Sequence, residues 1–357
     1  MTVHPPVHAP LDSLLELVRC PCCMSRLTIP HPPTSTSSIY TVDFTDGAPC
    51  PRTGEEVGVR AAEGEGALRC AGCRRSYALH RVGPDSLDIP CLMRADALAT
   101  LDQDLVVARS DPDSARLDYR RHIAWAERRD RFLAPLVHHT SDPYLPPATA
   151  EPTGGEWELC DRFAHDLHGS GTVLDLGCGT GEWTARLARR GLRVVGTDTG
   201  LSRLERAATA RAGSDQRLLF AQADAMELPL AAASVDGVWC SGAFASVRPD
   251  RRTVFFRQVN RALRPGGLLY LGAVTAPAGD TLRRYLLWRY IYRRPVVRGE
   301  RLGRPPRGRS GGWRYRATIT ARDLRELCHG HGFRVLALSR EGTRLLLLAR
   351  KERGTDA

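Results

Sequence analysis

The stretch Val173-Leu174-Asp175-Leu176-Gly177-Cys178-Gly179-Thr180-Gly181 constrains the chain more than any other. An apolar strand ends in an acid and breaks into a glycine-spaced turn, and Glu182 to Arg190 then follows with helical spacing. A strand–glycine turn–helix unit belongs to an α/β sheet, and it is a place where a nucleotide-like ligand can approach bare backbone.

The charges around the turn select among such ligands. The dinucleotide fingerprint needs a glycine where Glu182 stands, and the shifted frame puts Thr184 in its last slot, so both registers fail. A pyrophosphate here would face Asp175 and Glu182, against the usual anion preference of a helix N-terminus. S-adenosylmethionine has no phosphate and carries a cationic amino group and a sulfonium, which a carboxylate attracts. The next strand, Arg193 to Asp198, ends in an acid 23 residues after Asp175, the position for a carboxylate that accepts from ribose hydroxyls.

From Val173 to about Val274 the chain resembles the class I S-adenosylmethionine-dependent methyltransferases. The nonapeptide is similar to their first motif, Phe220 to Ala225 to the segment whose acid holds the adenine amino group, and Asp236 to Gly242 to the fourth strand bordering the methyl-transfer site. Arg261 to Tyr270 looks like the helix–Pro-Gly-Gly–strand segment that follows. The resemblance implies cofactor contacts from Asp175, Gly177, Cys178, Gly179, Gly181, Asp198, Thr199, Asp224, Ala225 and Ser241. Many relatives carry a histidine after the fourth strand; here the stretch is Phe244-Ala245-Ser246-Val247, so no catalytic base is assigned.

Strands at 172–177, 193–198, near 217–223, near 235–241 and near 268–274 alternate with helices, which implies a parallel sheet wound on both faces. Such sheets bind ligands at the carboxyl ends of their strands, where Asp175, Asp198, Asp224 and Ser241 fall. Helices are expected at 156–168, with Trp157, Cys160, Phe163, Ala164 and Leu167 on the packed face, and at 253–263. Another opens at Thr320 with a capping residue and an acid three positions on. A hairpin over 334–349 then closes the sheet with an antiparallel edge strand, giving a mostly parallel seven-stranded, Rossmann-like α/β domain over 156–357.

Residues 1–95 form a separate expected unit. Cys20-x-x-Cys23 and Cys70-x-x-Cys73, each preceded by a short apolar run, have the layout of a zinc ribbon. Four thiolates complete a tetrahedral ion, so the site is structural; Cys22 and Cys50 are weaker competitors, and disulfide or redox use is the lesser alternative in a reduced compartment. With Ser76 to Leu79 and Leu87 to Pro90 as closing strands, the module resembles the small Trm112-like zinc-ribbon domain. Residues 30–38 read as a flexible insertion and 96–155 as a connector, with a helix over 119–133 and a Pro/Gly linker.

No apolar run approaches the ~18 residues of a membrane span, and the N-terminus lacks a signal-peptide pattern, so a cytoplasmic protein is expected. Of 51 basic residues only Lys351 is lysine, which with abundant alanine points to a GC-rich bacterial genome. The net charge of +11 is local: 283–316 holds twelve arginines against Glu300 alone. This stretch, within a lid segment at 281–316, should open as an amphipathic aromatic helix and continue as irregular chain. The expected activity is methyl transfer from S-adenosylmethionine to a small or medium-sized metabolite, with a structural Zn2+ in the ribbon. RNA held by the ribbon and the arginines is the alternative. The oligomeric state is open.

Overall fold

The computed structural model describes residues 9–29, 66–80, 89–92, 154–210, 217–275, 283, 285–291, 298–303 and 314–353. The insertion at 30–38, Cys50, the helix expected at 119–133 and most of the arginine segment lie outside them. The chain divides into two compact units: Met1–Ala95 with Asp166–Val238 and Arg261–Arg264, and Asp96–His165 with Trp239–Asn260 and Pro265–Ala357.

In the first unit, helix α1 (Ala9–Leu17) buries Leu11, Leu14 and Leu17 at helical spacing. Strands β1 (Leu27–Thr28), β2 (Gly66–Cys70), β3 (Ser76–His80) and β4 (Ile89–Pro90) form an antiparallel sheet in that order. The same unit holds β5 (Thr172–Leu176), α3 (Glu182–Ala188), β6 (Arg193–Asp198), α4 (Leu201–Thr209) and β7 (Leu218–Gln222); α2 (Gly154–Asp166) falls almost wholly in the second unit. β5, β6 and β7 pair in parallel, with Leu174 opposite Val195 and Val195 opposite Leu219. All residues of β5 and β7 are buried, as expected of parallel strands covered on both faces. The cysteine-bearing sheet joins this one through main chain: Cys91 forms a parallel bridge with Gln222 on β7, and Val18 an antiparallel bridge with Leu230.

The second unit contains α2 (Gly154–Asp166), α5 (Arg252–Ala262), β9 (Leu263–Val274), β10 (Glu300–Gly303), β11 (Arg314–Ala317), α6 (Ala321–Gly330), β12 (Phe333–Glu341) and β13 (Arg344–Lys351) in whole or in most part. Strand β8 (Val235–Cys240) runs across the division between the units. Phe244, Phe255, Phe256 and Phe333 make one aromatic cluster, and Trp239 stacks on Tyr270 at 3.7 Å, with Phe163 edge-on at 5.3 Å. Thr320 caps α6 by accepting from Asp323 N at 3.1 Å, as its sequence predicts.

The main sheet has seven strands in the order β12-β13-β9-β8-β5-β6-β7. Three expectations are corrected. The antiparallel strand β13 lies one place in from the edge, between β9 and β12, because a tight turn at Gly342 returns the chain inward. Trp157 on α2 and Leu167 just past its end are only half-buried, while the charged Glu156 is buried. The arginine segment is not irregular throughout: its amphipathic stretch turns as a π-helix over Leu287–Ile291, and β10 and β11 pair antiparallel with Arg301 opposite Arg316. Glycine and proline cluster between those strands and leave the flanks free to pair. Among the described residues no helix is long and apolar enough to cross a membrane.

Candidate cofactor site and cysteine cluster

The glycine turn bends only because Gly177, Gly179 and Gly181 take positive φ of 73°, 56° and 77°. A side chain at Gly181 would also stand 3.0 Å from Ala207 Cβ and 3.4 Å from Phe220, so α3 could not settle at this distance from α4 and β7. Above Gly179 there is open space among the described residues: a Cβ there would meet none of their atoms within 4 Å. The turn is hung from β6, since Thr197 O accepts from Gly177 N at 2.7 Å and Cys178 N at 2.9 Å.

Two acids brace it. Asp198, 6% exposed, accepts from Gly179 N at 3.0 Å and Gly200 N at 2.8 Å, and Arg203 lies 3.6 Å away. One carboxylate therefore ties the first turn to the second. Asp175 is buried beneath the turn and accepts from Thr184 Oγ1 at 2.6 Å. Burial pushes its carboxyl up to about 7; the charge of Asp198 adds to the rise and Thr184 opposes it. Burial likewise pushes the Cys178 thiol well up, so this cysteine is a small packed neutral group.

A measurable pH dependence follows from Asp175. A folded carboxyl raised above its unfolded value, about 4, favours the protonated native state, so its contribution to stability is full below about pH 4 and is lost as pH rises toward about 7. The melting temperature of Asp175→Asn relative to the parent chain should therefore rise between pH 5 and 8. A constant difference across that range would show that Asp175 does not titrate there.

The third strand ends at Gln222, whose Nε2 donates to Thr199 O at 2.8 Å. Asp224 then caps the short turn Ala225–Glu227 by accepting from Met226 N at 2.8 Å. Nine of the ten expected cofactor residues thus fall in one compact unit around the ends of β5, β6 and β7. Ser241 belongs to the other unit. Its hydroxyl donates to Glu156 Oε1 at 2.5 Å, in a buried cluster that sequence reading missed. Glu156 also accepts from Tyr270 OH at 2.8 Å and from Arg344 Nη1 and Nη2 at 2.7 and 2.8 Å. No local pattern signals this group, because its members lie 85 to 188 residues from Glu156.

The cysteine cluster assembles the four expected residues: the sulfurs of Cys20, Cys23, Cys70 and Cys73 lie within 4.8 Å of one another. Cys20–Cys73 and Cys23–Cys70 are 3.6 and 3.4 Å apart, close to the roughly 3.8 Å edge of a tetrahedron with 2.3 Å Zn–S bonds. The two knuckles are alike: Met24 N donates to Cys20 O and Arg74 N to Cys70 O, with Met24 and Arg74 both left-handed at φ 63° and 59°. Gly72 permits their approach, since a Cβ there would strike Ser25 Oγ at 2.2 Å. Tyr77 OH stands 2.9 Å from Cys20 Sγ, a polar partner of the kind that orients a metal-bound thiolate. The residues present fit a tetrahedral thiophilic ion.

Residues 173–267 match the family described as a methyltransferase domain. The chain is 37% identical over 164 residues to 27-O-demethylrifamycin SV methyltransferase of Amycolatopsis mediterranei, covering 44% of this chain and 58% of that one. It is 38% identical over 120 residues to methyltransferase GfsG of Streptomyces halstedii, covering 33% and 42%. The chain thus spans about half the length of these curated relatives. Among solved structures, a methyltransferase from Methanosarcina mazei overlaps 53% of this chain and 96% of its own, at 24% identity and a TM-score of 0.46. The matched span opens at the glycine turn and takes in both acids, so residues 173–267 are similar to a methyltransferase domain.

Proposed function

We propose that the chain methylates an oxygen, nitrogen or carbon of a small or medium-sized metabolite. The single observation that carries this reading is the acid-braced glycine turn, open above Gly179 and flanked by Asp175 and Asp198. A relative named for methylation of a rifamycin supports a natural-product acceptor. S-adenosylmethionine, when bound, supplies an electrophilic methyl whose bond to sulfur breaks as the acceptor's lone pair forms the new one. The acceptor gives up its proton, and a neutral thioether leaves.

The chain's own residues then have separable tasks. The turn at Gly177, Cys178, Gly179 and Gly181 offers backbone to the ligand. Asp198, with Thr199 beside it, receives the ribose hydroxyls, and Asp224 with Ala225 receives the adenine. Asp175 orients the donor's amino group through the loop. Alignment in a dry pocket is the main catalytic contribution, and no general base is assigned. Cys20, Cys23, Cys70 and Cys73 hold a structural zinc in a Trm112-like ribbon over residues 1–95, ahead of a connector (96–155) and the catalytic domain (156–357).

No observation favours the RNA alternative. The test is to incubate the chain with methyl-labelled S-adenosylmethionine and a bacterial cell extract, then fractionate the products. Label should appear in small molecules; label confined to nuclease-sensitive material would reverse the choice of acceptor. S-adenosylhomocysteine should bind by calorimetry and NAD should not. A chain that takes NAD instead would end the proposal.

A further inference from the structure

The segment that carries Asp224 is held at both of its ends by the cysteine module, within one compact unit. At its start, Leu92 N donates to Gln222 O at 2.9 Å, beside the Cys91–Gln222 bridge, and Gln222 in turn holds Thr199 O. At its end, Arg19 N donates to Pro229 O at 2.8 Å and Ala231 N to Leu17 O at 2.9 Å, on either side of the Val18–Leu230 bridge. Val18, Leu92, Leu228 and Leu230 are each about 1% exposed, so both junctions are dry.

Each junction leads to the sulfurs by a short path. Arg19 precedes Cys20 directly. Leu92 follows β4, which pairs with β3; β3 carries Tyr77, against Cys20 Sγ, and pairs with β2, which ends at Cys70. The strands of this module are short, two of them only two residues long, and a metal that ties Cys20 and Cys23 to Cys70 and Cys73 cross-links them. Losing the metal should therefore loosen the clamps on Gln222 and on Pro229–Ala231 together.

We propose that metal occupancy of the four-cysteine site sets the affinity of the adenosyl site, through these two main-chain clamps on the Gln222–Ala231 segment. The proposal rests on the cofactor reading given above. It assigns the metal a role that reaches beyond local folding of the ribbon: the ion and the adenosyl ligand are linked ligands of one unit. Linkage is reciprocal, and couplings of this kind are roughly 5–150-fold.

The test uses the full chain, zinc and S-adenosylhomocysteine. Zinc-loaded protein and the same preparation stripped with a chelator are titrated by calorimetry, with circular dichroism to confirm that the sheet survives. The stripped protein should bind about tenfold or more weakly, and added zinc should restore binding; equal affinity in folded stripped protein overturns the proposal. Should stripping cause aggregation, the reciprocal measurement serves: saturating S-adenosylhomocysteine should raise the concentration of a colorimetric chelator needed to remove zinc. An unmoved midpoint overturns the proposal. Leu92→Pro and Arg19→Pro each delete one clamping N–H and leave the cysteines in place. Each should keep one zinc per chain and lose affinity for S-adenosylhomocysteine; full zinc with unaltered binding overturns the clamp. If zinc-loaded parent protein binds no S-adenosylhomocysteine at all, the cofactor reading itself fails, and this inference with it.

Discussion

Asp198→Ala is expected to remove calorimetrically detectable binding of S-adenosylhomocysteine while leaving a folded sheet. The carboxylate accepts from Gly179 N and Gly200 N, so its removal takes the partner from two part-buried backbone donors and unties the glycine turn from the turn after β6. Hydrogen bonds to a charged group contribute about 1.5–3 kcal/mol each. Loss of both, with loss of the acceptor for the ribose hydroxyls, corresponds to a weakening of about 100-fold or more. Asp198→Asn should fall between: its amide oxygen can accept from one glycine, while its NH2 opposes the other donor. Parent-like affinity in the alanine variant would mean that this acid neither shapes nor touches the site.

Glu156→Ala should produce the largest loss of stability. The carboxylate is 1% exposed and serves four donors, from Ser241, Tyr270 and both terminal nitrogens of Arg344. Removing one partner of a fully buried pair costs about 3–5 kcal/mol, and the loss here is reduced by the water that reaches Arg344, whose side chain is 32% exposed. The melting temperature should drop by on the order of 10 °C, given roughly 2–4 °C per kcal/mol in a chain of this size. Glu156→Gln keeps the volume and one acceptor oxygen and should lose less. The expected order is parent, glutamine, alanine; an alanine variant that melts with the parent would show that the cluster contributes nothing net. The cluster also explains why Gly272 is a glycine, since a Cβ there would lie 2.4 Å from Ser241 O.

Much of the molecule was legible in the sequence where the determinants are local. Alternating apolar runs and glycine breaks predict β5, β6, β7 and β8 within a residue or two, because strand ends are set by the residues that occupy them. The paired C-x-x-C spacing predicts the four sulfurs that converge, since each knuckle is one turn and the turn needs only its own residues. Thr320 as a cap belongs to the same class.

Contacts between distant segments were decided only by the tertiary structure. Glu156 reads as one more polar residue at a helix start, and nothing within a turn of it announces Tyr270 or Arg344. The inward place of β13 and the pairing of β10 with β11 depend on which strand edges the fold leaves open, a property of the sheet and not of either strand. The cysteine module could be read as a unit, but its splice onto β7 and Leu230 could not, because backbone groups are chemically alike along any sequence. Side-chain pattern determines which segments become strands, turns and knuckles; proximity in the folded chain selects which of their identical N–H and C=O groups meet.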